Sequence, residues 1–183
     1  MHIELASRHT TRAKLEAKHP GAALVDLTSR GPDPWIRFSP FYPHGGIPVP
    51  LSPGMRGASV EGIWQGLKVF ETTDVDPSRL QVTNMRGLKR TVRKFGRCLG
   101  HRAGFAGDAL LGYVEARRAI YLPAYAYVLR ERLSDELAQL RALSERGPVV
   151  LLDYETNADV DDARKPLSHA ALVRAWLLDA WPA

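Results

Sequence analysis

Residues 59–70 read SVEGIWQGLKVF, and the fold turns on how they are read. Val60, Ile63, Trp64 and Leu67 fall at i, i+3, i+4 and i+7, the spacing of a helix face turned to a core. Glu61, Gln65 and Lys68 fall at i, i+4 and i+7, so they form a polar stripe directly beside the apolar one. Ser59 stands where an N-cap belongs. A polar stripe on that border is either the solvated shoulder of a surface helix or the wall of a pocket.

The flanks of this helix differ sharply in character. Before it, SPFYPHGGIPVPLSPGMRG (39–57) is dense in proline and glycine and reads as an ordered loop. After it, residues 77–107 hold eight basic side chains (Arg79, Arg86, Lys89, Arg90, Arg93, Lys94, Arg97, Arg102) and no acid. Such a field attracts phosphate, on a nucleotide or along nucleic acid, unless it is only a solvated basic face. The pattern in MRGLKRTVRKF (85–95) predicts a short helix there.

Further out, residues 1–6 predict a short strand and TTRAKLEAKHPG (10–21) a short helix stopped by Pro20 and Gly21. AALVDLT (22–28) reads as a strand and WIRF (35–38) as its partner across a proline-rich turn. Residues 109–143 are mainly helical in pattern, with Pro123 opening the longer piece. Leu129, Leu133, Leu137, Leu140 and Leu143 form its buried edge. VVLLDYE (149–155) is the strongest strand signal in the chain. A polar loop, TNADVDDARKP, then leads to Ser168 as N-cap of a last helix with Val173, Trp176, Leu177, Ala180 and Trp181 on one face. The fold class is α+β: a single, mainly helical domain over residues 1–183 with a few short strands.

The totals agree with an ordinary soluble protein. The 183 residues are 45% hydrophobic and 25% charged, with a net charge of +5. No apolar run is long enough to span a membrane, and the first residues lack the apolar region of a signal peptide. The single cysteine, Cys98, excludes an internal disulfide, and the expected compartment is the cytoplasm. The six histidines never pair at i, i+4, so no metal site is expected. The chain has no phosphate-binding G-x-x-x-x-G-K-[ST] loop, no dinucleotide G-x-G-x-x-G and no G-x-S-x-G elbow, and no cofactor is expected.

What remains is a carboxylate on a helix, an aromatic loop before it, a basic segment after it and a carboxylate-rich loop near the end. FSPFYP followed by SVEGIWQGLKVF resembles the signature of the NADAR (YbiA-like) superfamily. Phe38, Ser39 and Phe41 match its F-S-N-F-type loop, with Pro40 in place of the asparagine. Glu61, Trp64, Gln65 and Lys68 match its S-x-E-x-x-aromatic-Q-x-x-K-x-F helix. RKFGR, ending at Gly96 and Arg97, is similar to its basic K-x-x-G-R segment. LDYETNADVDD is similar to its E-x-T-x-N-D-x-x-W-G loop, with Val160 and Asp161 near the place of the Trp-Gly. Residues 1–30 lie outside the resemblance.

The resemblance implies an N-glycosidase acting on nucleotides, including removal of ADP-ribose from a modified guanine base; related members act on an intermediate of riboflavin synthesis. It implies Glu61 and Asp161 as catalytic carboxylates. Phe41, Tyr42, Trp64, Gln65, Lys68, Arg90, Arg93, Arg97, Asn157 and Asp159 would contact substrate. Glycosidic cleavage develops positive charge on the ribose, which a carboxylate at the anomeric carbon stabilises. Partial burial would raise the pKa of Glu61, and Lys68 or an arginine would oppose that shift. Arginine forks would grip phosphate oxygens. The competing expectation is a non-catalytic nucleotide- or nucleic-acid-binding module acting through residues 77–107. The position of the Glu61 side chain separates the two.

Overall fold

A computed structural model describes residues 1–182. In chain order its elements are β1 (Ile3–Ser7), α1 (Arg12–Lys18), β2 (Ala23–Asp26), β3 (Ile47–Pro48), β4 (Arg56–Gly57), α2 (Val60–Gly66) and β5 (Lys68–Phe70). They continue with α3 (Val92–Phe95), β6 (Cys98–Arg102), β7 (Leu110–Leu111), α4 (Tyr113–Ala116), α5 (Leu122–Arg132), α6 (Ser134–Arg146), β8 (Val149–Asp153) and α7 (His169–Leu177). The fold is a mixture of helices and small sheets. The chain forms two compact units, one from Met1–Ser39 with the residues from Leu133 onward, the other from Pro40–Arg132.

The first unit is built on β8. Its sequence is apolar up to Asp153, and a strand without alternation must be covered on both faces. β8 is the centre of a parallel sheet in the order β1-β8-β2, and all five of its residues are buried. Leu15 of α1 packs on Val150 and Leu152, which point to one face. Asp153 points to the other and receives the start of α7: Ser168 Oγ donates to it at 2.8 Å and the Ala170 N–H at 3.3 Å. Ser168 also caps α7, accepting from the Ala171 N–H at 3.1 Å.

Three expectations fail here for physical reasons. WIRF is a 3-10 turn, not the partner of β2: Ile36, Arg37 and Ser39 donate back to the carbonyls of Pro32, Pro34 and Ile36. The place beside β2 belongs to β8, which offers a longer apolar ladder. The last helix stops at Leu177 because Asp179 adopts a left-handed backbone (φ 53°). Trp181 therefore folds back edge-on to Trp176 at 5.3 Å, and Ala180 is exposed. Leu129, Leu133, Leu137 and Leu140 are buried as expected, but Leu143 is only half-buried.

The second unit surrounds α2. Every residue of this helix is buried, Glu61 and Gln65 included. The two glycines make that possible: a Cβ on Gly62 would stand 2.7 Å from the Arg79 carbonyl oxygen, and one on Gly66 3.0 Å from Phe105. The turn Pro77–Gln81 therefore closes directly on the helix backbone. Ser59 caps it as expected, accepting from the Gly62 N–H at 3.0 Å. An antiparallel sheet, β5-β6-β7, follows, and the proline-rich loop contains the short β3–β4 ladder. The helix expected over 85–95 shrinks to α3, because Met85 and Gly87 have positive φ (58° and 65°) and Arg90 is drawn inward. Ahead of Pro123 the chain makes a π turn, Arg117–Tyr121, in which the Leu122 N–H reaches the Arg117 carbonyl; proline at the next position has no N–H with which to continue an α ladder.

The buried Asp153–His169 pair makes the first unit pH-sensitive. His169 Nδ1 lies 2.9 Å from Asp153 and its Nε2 2.9 Å from the Leu27 carbonyl, so both ring nitrogens face acceptors and both carry protons. Burial alone would push the imidazole pKa down, but the Asp153 charge and these hydrogen bonds raise it above its ordinary 6.5. Burial would likewise push the Asp153 carboxyl up, yet His169, Ser168 and the Ala170 N–H hold it below 3.8. A raised imidazole stabilises fully below 6.5 and loses that contribution as pH rises through its folded value. A lowered carboxyl stabilises fully above 3.8 and loses it as pH falls through its folded value. Melting temperature should therefore be highest between these ordinary values and fall on both sides. In thermal melts, Asp153→Ala, which strands a buried imidazolium, should cost about 3–5 kcal/mol. His169→Gln should flatten the alkaline limb.

Candidate functional site

Glu61 does not lie on a solvated shoulder. Its residue is 8% exposed and Gln65, one turn later, 4%. Gln65 Nε2 donates to Glu61 Oε1 at 2.9 Å, and Gln65 Oε1 accepts from the Arg90 N–H at 2.9 Å. Both ends of the amide are thus committed, which fixes its orientation and that of the carboxylate beside it. The Glu61 N–H donates to the Pro40 carbonyl at 2.8 Å, so the aromatic loop begins at the first turn of α2. A carboxylate in that first turn also suits the helix dipole.

Lys68 leaves the stripe. α2 ends at Gly66, and Lys68 opens β5, paired in register with His101 of β6. Trp64 lies in the core, 8% exposed, and its ring meets His101 at 3.8 Å between centroids. Tyr121 stands edge-on to it at 5.7 Å, and Tyr113 lies tilted to it at 6.0 Å. Phe41 receives the Lys89 ammonium over its ring at 5.6 Å, and Tyr42 packs on His44 at 4.8 Å.

The basic segment divides. Arg90 is buried, and its guanidinium donates to the carbonyls of Gln65 (3.2 Å), Lys68 (2.5 Å) and Asp74 (2.6 Å). Phe70 and Phe95 cover it at 5.1 and 5.3 Å. Both terminal nitrogens of its fork are thus engaged by backbone and its Nε is buried without a partner among the described residues, so Arg90 does not present its fork to solvent for the phosphate contact expected of it. Arg79 and Arg102 pair with Asp76 and Asp74 at 2.8 and 2.7 Å, and exposed Arg97 pairs with Glu71 at 3.3 Å. Arg86, Lys89, Arg93 and Lys94 are exposed with no ion-pair partner among the described residues. These four, unlike Arg90, present their charge to solvent.

The late loop belongs to the first unit and is a chain of small turns. Asn157 Oδ1 accepts from the Asp159 N–H at 3.0 Å, and Asp159 Oδ1 from the Asp161 N–H at 2.9 Å. The Asn157 carbonyl accepts from the Ser168 N–H at 2.9 Å, so the loop is tied to the α7 cap. The side chains of Asp159 and Asp161 are exposed. No cluster of three or more His, Cys, Asp or Glu able to hold a metal is found among the described residues. Among the described residues no helix is long and apolar enough to cross a membrane.

Sequence reading missed His101 and Arg117. His101 is 1% exposed, neither ring nitrogen has a hydrogen-bond partner among the described residues, and burial followed by the nearby Lys68 charge pushes its pKa down to about 3. Arg117 is 2% exposed and lies over the Tyr113 ring at 4.3 Å. No local signal in the sequence marks either residue, because the surroundings of His101 depend on the β5–β6 register and those of Arg117 on the π turn that holds it.

The chain belongs to the family of unknown function DUF6939, whose family model matches residues 7–173. No curated protein and no solved structure matches it. The family description carries no activity, so the chemical reading rests on the residues themselves.

The division of the basic segment has a measurable consequence. Arg90→Ala strands three buried carbonyls and should lower stability to urea by about 3 kcal/mol, with Arg90→Lys recovering little of it because an ammonium lacks the fork. Arg93→Ala and Lys94→Ala should leave the urea midpoint unchanged. A stable Arg90→Ala protein would show that the guanidinium is free for a ligand.

Proposed function

We propose that this protein is an N-glycosidase of NADAR type, hydrolysing the N-glycosidic bond of a nucleotide, with ADP-ribose on a modified guanine base as its substrate. The observation that carries the proposal is the Glu61 carboxylate, buried on α2 and oriented by a glutamine whose other end is fixed by Arg90. A carboxylate needed only for solubility would stand in water. One kept out of water, beside an aromatic cluster, suits the stabilisation of positive charge on a ribose ring or the activation of the attacking water.

In this reading Glu61 acts at the anomeric carbon and Gln65 holds its orientation. Phe41 and Tyr42 offer aromatic faces to the substrate. Arg86, Lys89, Arg93 and Lys94 attract the diphosphate. The resemblance implies Asp161 as second carboxylate and Asn157 and Asp159 as ribose contacts; all three belong to the first unit, and the chemistry at Glu61 stands without them. The same scaffold would also suit a glycosidase on a riboflavin-pathway intermediate. A second reading, a nucleic-acid-binding module, is favoured by one observation: Arg93 and Arg97 are exposed instead of buried beside Glu61. That module would lose affinity steeply with salt and ignore Glu61→Gln.

Mass spectrometry of ADP-ribosylated guanosine, incubated with the wild type and with Glu61→Gln, tests the proposal. Free ADP-ribose should appear with the wild type and fall at least about 100-fold with the variant. Equal release by both would remove Glu61 from the chemistry. No release by folded wild type would remove this substrate.

A further inference from the structure

Buried polar groups of the second unit are not all satisfied to the same degree: Arg90 bonds through both terminal nitrogens and leaves only its Nε without a partner among the described residues, whereas His101 makes no bond at either ring nitrogen. Gln65 uses both ends of its amide, and Arg90 spends its fork on three carbonyls. His101, in the middle strand of the β5-β6-β7 sheet, is 1% exposed and leaves both ring nitrogens without a hydrogen-bond partner among the described residues. A buried imidazole with neither bond made lowers stability, and a phenylalanine or leucine in its place would carry no such cost. Polar groups kept in that condition mark a place where something else completes the bonding.

Its surroundings say what that something is. The imidazole face is covered by Trp64 at 3.8 Å, and Trp64 is one turn after Val60 on the helix that carries Glu61. Tyr121 and Tyr113 complete the aromatic cluster, and Tyr113 is 39% exposed, so the cluster reaches the surface. Burial opposes protonation of the ring, and so, to a smaller extent, does the charge of Lys68 across the ladder. The imidazole therefore stays neutral through the physiological range, with one N–H donor and one bare nitrogen acceptor. A neutral donor–acceptor ring among aromatic faces, with a cation alongside, suits a flat heteroaromatic ring that carries its own donors and acceptors.

We propose that His101 is a ligand-binding residue that hydrogen-bonds the heteroaromatic base of a nucleotide admitted at the Trp64–Tyr113 aromatic cluster. This rests on the nucleotide reading of the Glu61 site and assigns that site its base-recognising group. Binding requires Trp64, which covers the imidazole, to shift, and the exposed Tyr113 beside Trp64 is the outer edge of that cluster.

The test is calorimetric titration of ADP-ribose into the wild type, His101→Phe and His101→Leu, with thermal melts of all three. Both variants should melt cooperatively at or above the wild-type temperature, by about 2–4 °C where the replacement packs well. Both should bind ADP-ribose about 10-fold more weakly, as expected for loss of one buried hydrogen bond to a ligand. Unchanged ADP-ribose affinity in either folded variant overturns the proposal and leaves a buried water as partner of the ring. Failure of the wild type to bind ADP-ribose overturns it as well. Loss of the cooperative melt in both variants also counts against it, since a purely structural histidine would do the same. A wild type that binds ADP-ribose, with weaker variants, but releases none from modified guanosine upholds His101 while removing the glycosidase reading.

Discussion

The amide of Gln65 is the constraint on which the second unit depends. One end donates to Glu61 and the other accepts from the Arg90 N–H, so a single side chain ties α2 to a segment 25 residues further along the chain. Once the Arg90 backbone is held there, its guanidinium reaches the carbonyls of Gln65, Lys68 and Asp74. The end of α2, the start of β5 and the turn after it are therefore fixed by one fork. Lysine would not replace it, because its donors all leave one nitrogen, whereas the guanidinium spreads them over two terminal nitrogens held apart in a rigid plane. The Phe70 and Phe95 rings exclude water from the cation and strengthen each of these bonds.

The first unit solves the same problem with the opposite charge. Asp153 ends the central strand where its carboxylate would be buried, and it collects Ser168 Oγ, the Ala170 N–H and His169 as donors. In doing so it completes the N-terminus of α7, whose free N–H groups would otherwise need water. His169 then passes the constraint on to the Leu27 carbonyl, just beyond β2. Two of the three parallel strands and the last helix are thus linked through one ionised pair.

What could be read in the sequence was what neighbours along the chain decide. α2, its Ser59 cap, the Ser168 cap and β8 depend on spacing within a few residues, and all four are present. WIRF alternates as a strand would, but alternation does not name a partner, and β8 lies more than 100 residues away. The same limit applies to the basic segment. Arg90 and Arg93 are alike in a sequence, and only the folded carbonyls around Arg90 separate a structural arginine from one that meets solvent. Glu61 was legible as the border of an apolar face; that its neighbour would be locked by a backbone N–H from residue 90 was not.

The shortness of α2 has electrostatic consequences beyond its length. Had the helix continued through Lys68, the ammonium would lie one turn from Gln65 and neutralise Glu61 from along the same face. Instead the chain turns into β5 after Leu67, and Lys68 faces His101 across a ladder. Glu61 keeps its bond to the Gln65 amide, while burial, and after it the Lys68 charge, keeps the His101 ring neutral. A buried carboxylate on α2 and an uncharged donor–acceptor ring on β6 are thus supplied by two different elements. That separation is what a site needs if one group is to meet developing positive charge and another a flat, neutral base.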